Sequence, residues 1–133
     1  MTIIDQHVIE TINQPGKIGV LATADAKGQP NLAYFGSAGV LPGGGFVVAL
    51  GDSRTLANLE QNQNATYLVL KESPVTFNTQ GWRLYLKVQM VHRDGEMLES
   101  MRKKIADKVG SKAAEAIKVA ILFDITEIRP LID

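Results

Sequence analysis

The chain has 133 residues, with 14 basic side chains balanced by 14 acidic ones, two histidines and no cysteine. This length predicts one domain with a single core, residues 1–133, and the balanced charge disfavours a nucleic-acid-binding protein, which usually carries a basic surplus. The absence of cysteine excludes disulfides, thiol catalysis and iron–sulfur ligation, and it suits a reducing compartment.

The N-terminal residues predict an amphipathic helix that ends near Pro15 and Gly16. Its apolar residues recur at helical spacing, at Ile4, Val8, Ile9 and Ile12. The start of the chain lacks the basic flank and long apolar region of a signal peptide, and no apolar run is long enough to span a bilayer. We therefore expect a cytoplasmic protein without membrane contact.

An antiparallel meander is predicted next. Lys17–Asp25 alternates between apolar and polar residues, the turn at 25–28 follows, and Asn31–Leu41 is interpreted as the returning strand. A glycine-rich turn at 42–45 then leads into the apolar strand Phe46–Leu50. Two short turns in succession favour antiparallel neighbours, because parallel strands need long crossovers.

The second half of the chain adds helices and long strands. The predicted elements are a helix over Arg54–Asn62, a strand over Ala65–Lys71, a loop over Glu72–Thr79, a long strand over Gly81–Arg93, a helix ending at Gly110, a short helix or turn over Ser111–Lys118 and a strand over Val119–Ile128. The total is about six strands and three helices. This pattern predicts a mainly β fold, a small closed or half-open antiparallel barrel with flanking helices.

The junction after Leu50 combines features of an anion site. The strand passes through Gly51 directly into a helix start that carries Ser53, Arg54 and Thr55. Unpaired amides and the helix dipole favour an anion at such a start, and a guanidinium and hydroxyls add further donors. The alternative is an ordinary helix capped by Asp52 or Ser53, with Arg54 in solvent. On the junction alone the ordinary helix is favoured.

Other polar residues carry weaker signals. His7 and His92 are far apart in sequence and form no recognisable metal set. Basic residues cluster in the helix that ends at Gly110, at Arg102, Lys103, Lys104 and Lys108. Because acidic residues share that helix, a solvated face is favoured over a nucleic-acid patch.

Three segments in chain order resemble the FMN-binding split-barrel proteins, which include pyridoxamine 5'-phosphate oxidases and small FMN-binding proteins. The first is residues 19–24 (GVLATA) with the hairpin turn and residues 28–32 (GQPNL) after it. The second is residues 54–59 (RTLANL) directly after an apolar strand, and the third is the long strand over residues 81–92 with its following helix and strand. The resemblance covers about Ile4 to Ile128 and implies an antiparallel split β-barrel.

The resemblance also implies a cofactor site. It implies that the FMN phosphate lies at the strand–helix junction and the flavin ring along the second strand of the meander. It further implies a homodimer, with Gln80 or Trp82 reaching the flavin from the partner subunit. The implied cofactor-binding residues are Tyr34, Phe35, Gly36, Ser37, Leu50, Gly51, Ser53, Arg54, Thr55, Asn58, Gln80 and Trp82.

Two departures from the pyridoxamine 5'-phosphate oxidases qualify this assignment. Asp52 places a negative charge near the implied phosphate, and no arginine–histidine cluster occurs late in the chain to hold a substrate phosphate. Vitamin B6 oxidase activity is therefore not expected. The resemblance implies a flavoprotein that is a small oxidoreductase or an electron-transfer protein with a small-molecule or protein redox partner, and the sequence shows no catalytic acid or base. The alternative is a non-enzymatic split-barrel module for haem or another phosphorylated molecule.

Overall fold

The computed structural model describes residues 4–71 and 79–132, and within these ranges seven strands form one antiparallel sheet that curls into a half-barrel with four helices. The helices are α1 (Gln6–Asn13), α2 (Arg54–Gln61), α3 (Glu96–Val109) and α4 (Ser111–Glu115). The strands are β1 (Ile18–Ala24), β2 (Pro30–Tyr34), β3 (Gly39–Val40), β4 (Phe46–Leu50), β5 (Asn64–Leu70), β6 (Gly81–His92) and β7 (Val119–Pro130). The strand order is β2-β1-β5-β6-β7-β4-β3.

The prediction of a mainly β fold with an antiparallel barrel and flanking helices is confirmed. Strands β6 and β7 form the longest pairing, from Trp82 opposite Pro130 to His92 opposite Ala120. The predicted numbers, about six strands and three helices, differ from the seven and four found among the described residues. The loop predicted over Glu72–Thr79 lies mostly outside those residues. None of the described helices is long and apolar enough to cross a membrane.

The first hairpin forms as the sequence predicts. The Asp25 carboxylate accepts hydrogen bonds from the backbone amides of Lys27 (2.8 Å) and Gln29 (2.9 Å) and so closes the turn with its own side chain. Aspartate favours turns for this reason, because its short side chain reaches backbone donors two residues on. The closed turn sets the register of β1 against β2, with Ala24 opposite Pro30.

The prediction of one returning strand over Asn31–Leu41 is wrong. β2 ends at Tyr34 and pairs with β1, whereas β3 begins at Gly39 and pairs with β4. These two strands are the opposite ends of the sheet order, so residues 35–38 cross from one end to the other. Alternation marks an extended chain but carries no information about which neighbour it pairs with. The strand breaks because the sheet curls, so that its two end strands lie close enough for four residues to connect them.

Strand β4 is buried on both faces, which explains its unbroken apolar sequence. Its side chains alternate between two core clusters. Phe46, Val48 and Leu50 pack inside the half-barrel, while Val47 and Ala49 pack against α3. The strand is therefore held between two layers, and its C-terminal end is a firm support for the junction that follows it.

Candidate functional site

Six of the residues predicted to contact a flavin ring line one cavity. Its volume is about 1000 Å³, and Leu50, Gly51 and residues 34–37 all border it. The end of α1 and one face of α3 form the other walls. Residues that lie far apart in sequence thus meet at a single concave surface of a size that small-molecule sites usually have.

The crossing segment, defined here as residues 35–38, is held by side chains at both of its ends. The Tyr67 hydroxyl donates a hydrogen bond of 2.7 Å to the Phe35 carbonyl. The Lys17 ammonium donates to the carbonyls of Ala38 and of Ile12, in the last turn of α1. Together with the hydrogen bond of 2.9 Å from the Phe35 amide to the Gly19 carbonyl, these contacts hold the segment against β1, β5 and α1, and all four of its residues border the cavity.

Burial explains the state of both supporting groups. Burial raises the pKa of the Tyr67 phenol well above its usual value, with a smaller contribution from Tyr34, so the hydroxyl keeps the proton it donates. Burial and the nearby Lys108 charge lower the pKa of Lys17 to about 8. Gly19 makes room for Tyr67, because a Cβ at Gly19 would lie only 1.7 Å from the phenolic oxygen.

A side-chain amide supports the same cavity wall from α1. Asn13 donates through Nδ2 to the Val40 carbonyl at 3.0 Å and accepts through Oδ1 from the Val40 amide at 2.8 Å. This two-point contact fixes the end of α1 to β3. Sequence reasoning did not single out Asn13, Lys17 or Tyr67, and they carry no local signal, since the residues of the cavity wall that they bind, Val40, Ala38 and Phe35, are 21 to 32 residues away.

The strand–helix junction has a capped helix start with an exposed cation. Ser53 is the N-cap of α2, and its hydroxyl oxygen accepts from the Leu56 amide at 3.2 Å. Arg54 is exposed and Thr55 is buried. The amides of Ser53, Arg54 and Thr55 have no intrahelical partner, because the first turn of a helix cannot supply one. The cap is the ordinary one that the sequence allowed, and the three amides and the guanidinium remain suited to an anion.

Asn58 lies one turn further along α2, away from the cavity. It is buried, and its Nδ2 donates to Thr23 Oγ1 of β1 at 3.1 Å. The side chain therefore joins α2 to the first strand. The resemblance implies that Asn58 binds the cofactor; the contact with β1 gives its side chain a structural role, and a cofactor contact stays a prediction.

Gln80 lies directly before β6 and Trp82 is its second residue, and neither borders the cavity of its own chain. Trp82 packs half-buried against the core, but its indole Nε1 is buried and has no hydrogen-bond partner within the described residues. Buried indole N–H groups usually find an acceptor. These two residues thus lie apart from the six that line the cavity, and a contact from a partner subunit stays a prediction.

The sequence matches the model of a known protein family. The family model for pyridoxamine 5'-phosphate oxidase matches residues 4–131, nearly the whole chain. The chain belongs to this family. The expected resemblance to the split-barrel proteins is thereby confirmed, and no curated protein matches the chain significantly.

Solved structures of this family share the fold at low sequence identity. HupZ of Group A Streptococcus is 22% identical with a TM-score of 0.77, over 97% of this chain and 94% of that one. An FMN-binding protein from Syntrophomonas wolfei is 21% identical with a TM-score of 0.77, over 96% and 88%. HutZ, the haem storage protein of Vibrio cholerae, is 20% identical with a TM-score of 0.72, over 94% and 93%. The family's fold therefore accommodates more than one kind of ligand.

Proposed function

We propose that this protein is a flavoprotein that binds FMN non-covalently and uses it in a redox reaction. The observation that carries the proposal is the continuity of two sites along β4. Leu50 and Gly51 border the cavity, and two residues later Ser53 and Arg54 begin the helix with its free amides. A ligand with a flat ring and a phosphate at the end of a flexible chain fits this arrangement.

The phosphate end of FMN would bind at the start of α2. The amides of Ser53, Arg54 and Thr55 donate there, and the Arg54 guanidinium adds charge-assisted hydrogen bonds. Such bonds contribute about 1.5–3 kcal/mol each, so a few are sufficient to anchor the ligand. Asp52 is exposed and Ser53 provides the cap, so the helix start does not depend on the Asp52 carboxylate.

The ring would lie against the crossing segment. Because Tyr67 and Lys17 hold its two ends, the backbone groups of Gly36 and Ser37 are oriented before a ligand arrives, which lowers the entropy cost of binding. When bound, the flavin supplies the redox chemistry. The residues of this chain bind and orient it, and apolar residues such as Leu50 exclude water.

We propose a homodimer as the functional state. Leu32 and Tyr34 on the edge strand β2 are 70% and 66% exposed, an unusual exposure for large side chains on one strand. The unpartnered Trp82 Nε1 is a further group that a second copy could satisfy. In the dimer, Gln80 and Trp82 would contact the flavin of the partner subunit.

The alternative ligand is haem, because HutZ, a protein of similar structure, is a haem storage protein. Haem iron needs an axial ligand, most often histidine. Neither His7 nor His92 borders the cavity, and the residues there that could replace them are Tyr34 and Met101. The histidine positions thus favour FMN over haem for this cavity.

The absorption spectrum of the purified protein is the first test. A flavin spectrum and FMN released on denaturation would support the proposal, whereas a haem spectrum would support the alternative. A colourless protein that fails to take up added FMN would refute the flavoprotein assignment. If FMN binds, steady-state assays with reduced nicotinamides separate an oxidoreductase from an electron carrier, which would show no turnover.

The phosphate assignment has its own test. Arg54→Ala should weaken FMN binding about tenfold or more, which corresponds to about 1.4 kcal/mol or more, and leave riboflavin binding unchanged because riboflavin has no phosphate. Arg93→Ala is the matched control, since Arg93 is also exposed but lies 3.3 Å from the Glu60 carboxylate. Equal FMN affinity of wild type and Arg54→Ala would contradict the assignment.

A further inference from the structure

One wall of the cavity is basic and apolar at the same time. Lys104 and Lys108 lie one turn apart on α3 and border the cavity beside the buried Met101 and Ile105. Lys17, directly before β1, also borders it. Three lysines from two parts of the chain thus share one concave surface with aliphatic side chains.

The positive charge of this wall is not balanced locally. Among the described residues that border the cavity there is no aspartate or glutamate, although the whole chain has as many acidic as basic side chains. On α3, Glu99 pairs at 2.7 Å with Arg102, and both border a separate surface depression together with Lys103. The basic residues of α3 therefore divide between two sides, where the sequence predicted one solvated face.

The lysines also repel one another. Within residues 4–71 and 79–132, no ion pair involves any of the three. The charge of Lys108 is close enough to Lys17 to contribute to lowering its pKa, after burial. Like charges that line a cleft with low-dielectric walls create a positive potential, and an anion entering the cleft would relieve it.

We propose that the cavity takes a small organic anion as a second ligand, with its carboxylate or phosphate group held between Lys104 and Lys108. The buried Lys17 adds its field, and its ammonium stays engaged with the backbone. The body of the ligand packs on Met101, Ile105 and the flavin ring, so this inference rests on the proposed function. A cavity of about 1000 Å³ is at the upper end of the range for ligand sites and has room for both molecules.

The test compares anionic and neutral probes of similar size on the FMN-loaded protein. Calorimetric titration with phenyl phosphate, benzoate and benzyl alcohol should show that at least one anion binds about tenfold or more tightly than the neutral alcohol. The stronger anion identifies the preferred group. The double variant Lys104→Gln/Lys108→Gln should lose this preference, and Lys103→Gln/Lys112→Gln, which removes the same charge outside the cavity, should keep it.

The outcomes separate this inference from the proposed function. If FMN binds but both anions bind no better than the alcohol, or bind equally well to Lys104→Gln/Lys108→Gln, the inference is refuted and the function stands. If no FMN binds but the anion binds with the same dependence on the two lysines, the lysine site stands and the flavin assignment fails. If the double variant does not fold, the salt dependence of anion binding to the wild type is the test. Binding that weakens at high ionic strength supports the inference, because salt screens the attraction between the lysines and the anion, and binding that salt does not change refutes it.

Discussion

The hydrogen bond from Tyr67 to Phe35 stabilises the crossing segment, and a substitution that deletes only the phenolic oxygen removes it. Tyr67→Phe keeps the buried ring and its tilted contact with Phe46, whose centroid is 4.7 Å away. It leaves the Phe35 carbonyl without the donor now at 2.7 Å. The expected loss in the free energy of unfolding is about 1–2 kcal/mol, between the net worth of an average hydrogen bond and the cost of an unpaired carbonyl.

Urea denaturation measures this loss. With a slope of about 2 kcal/mol per molar for a small domain, the midpoint should fall by about 0.5–1 M. FMN binding should weaken about fivefold, or about 1 kcal/mol, because binding must then order the crossing segment. Hydrogen exchange at the Gly36 and Ser37 amides should become faster.

The matched control for this prediction is Tyr85→Phe. Tyr85 is half-buried on β6, and within the described part of the chain no hydrogen bond of its hydroxyl is found. The control should leave both stability and FMN affinity near those of the wild type. A Tyr67→Phe midpoint equal to that of Tyr85→Phe would refute the reasoning that Tyr67 holds the crossing segment.

Two further predictions concern charge and assembly. Burial lowers the pKa of Lys17 to about 8 from 10.5, so the folded protein binds fewer protons than the unfolded chain between these values, and stability should rise with pH from about 8 to about 10.5. Lys17→Met should lose this rise, and the control Lys118→Met, at an exposed site, should keep it. Chemical denaturation at several pH values is the measurement. An unchanged rise in Lys17→Met would exclude Lys17 as the source of the pH dependence. Leu32→Glu should shift a dimer toward monomer in analytical ultracentrifugation, because it places a charge on the exposed face of β2, and an unaltered dimer would show that this edge lies outside the interface.

Local pattern was informative wherever one short segment carries its own physical cause. The turn at Asp25 closes through its own carboxylate, and the helix after Ser53 is capped by its own hydroxyl. The unbroken apolar run of β4 corresponds to burial on both faces. The family resemblance then supplied the proposed roles of these segments, which periodicity alone does not give.

Local pattern did not predict features that depend on contacts between residues far apart in sequence. Residues 31–41 are compatible with one strand, yet the chain leaves β1 after Tyr34 and joins β4 at Gly39. Lys104 and Lys108 are exposed residues of α3, and only the packing of α3 against β4 places them at the cavity. Neither outcome has a marker within its own segment.

The sequence by itself determined most of the helices and strands, the first turn, the start of α2 and the family to which the chain belongs, because each depends on neighbouring residues or on motifs in fixed order. Only the tertiary structure decided which strands meet, that Tyr67 and Lys17 hold the crossing segment, and that three lysines share one cavity. These contacts depend on how far the sheet curls. That curl results from the packing of the whole core and cannot be predicted from any single segment.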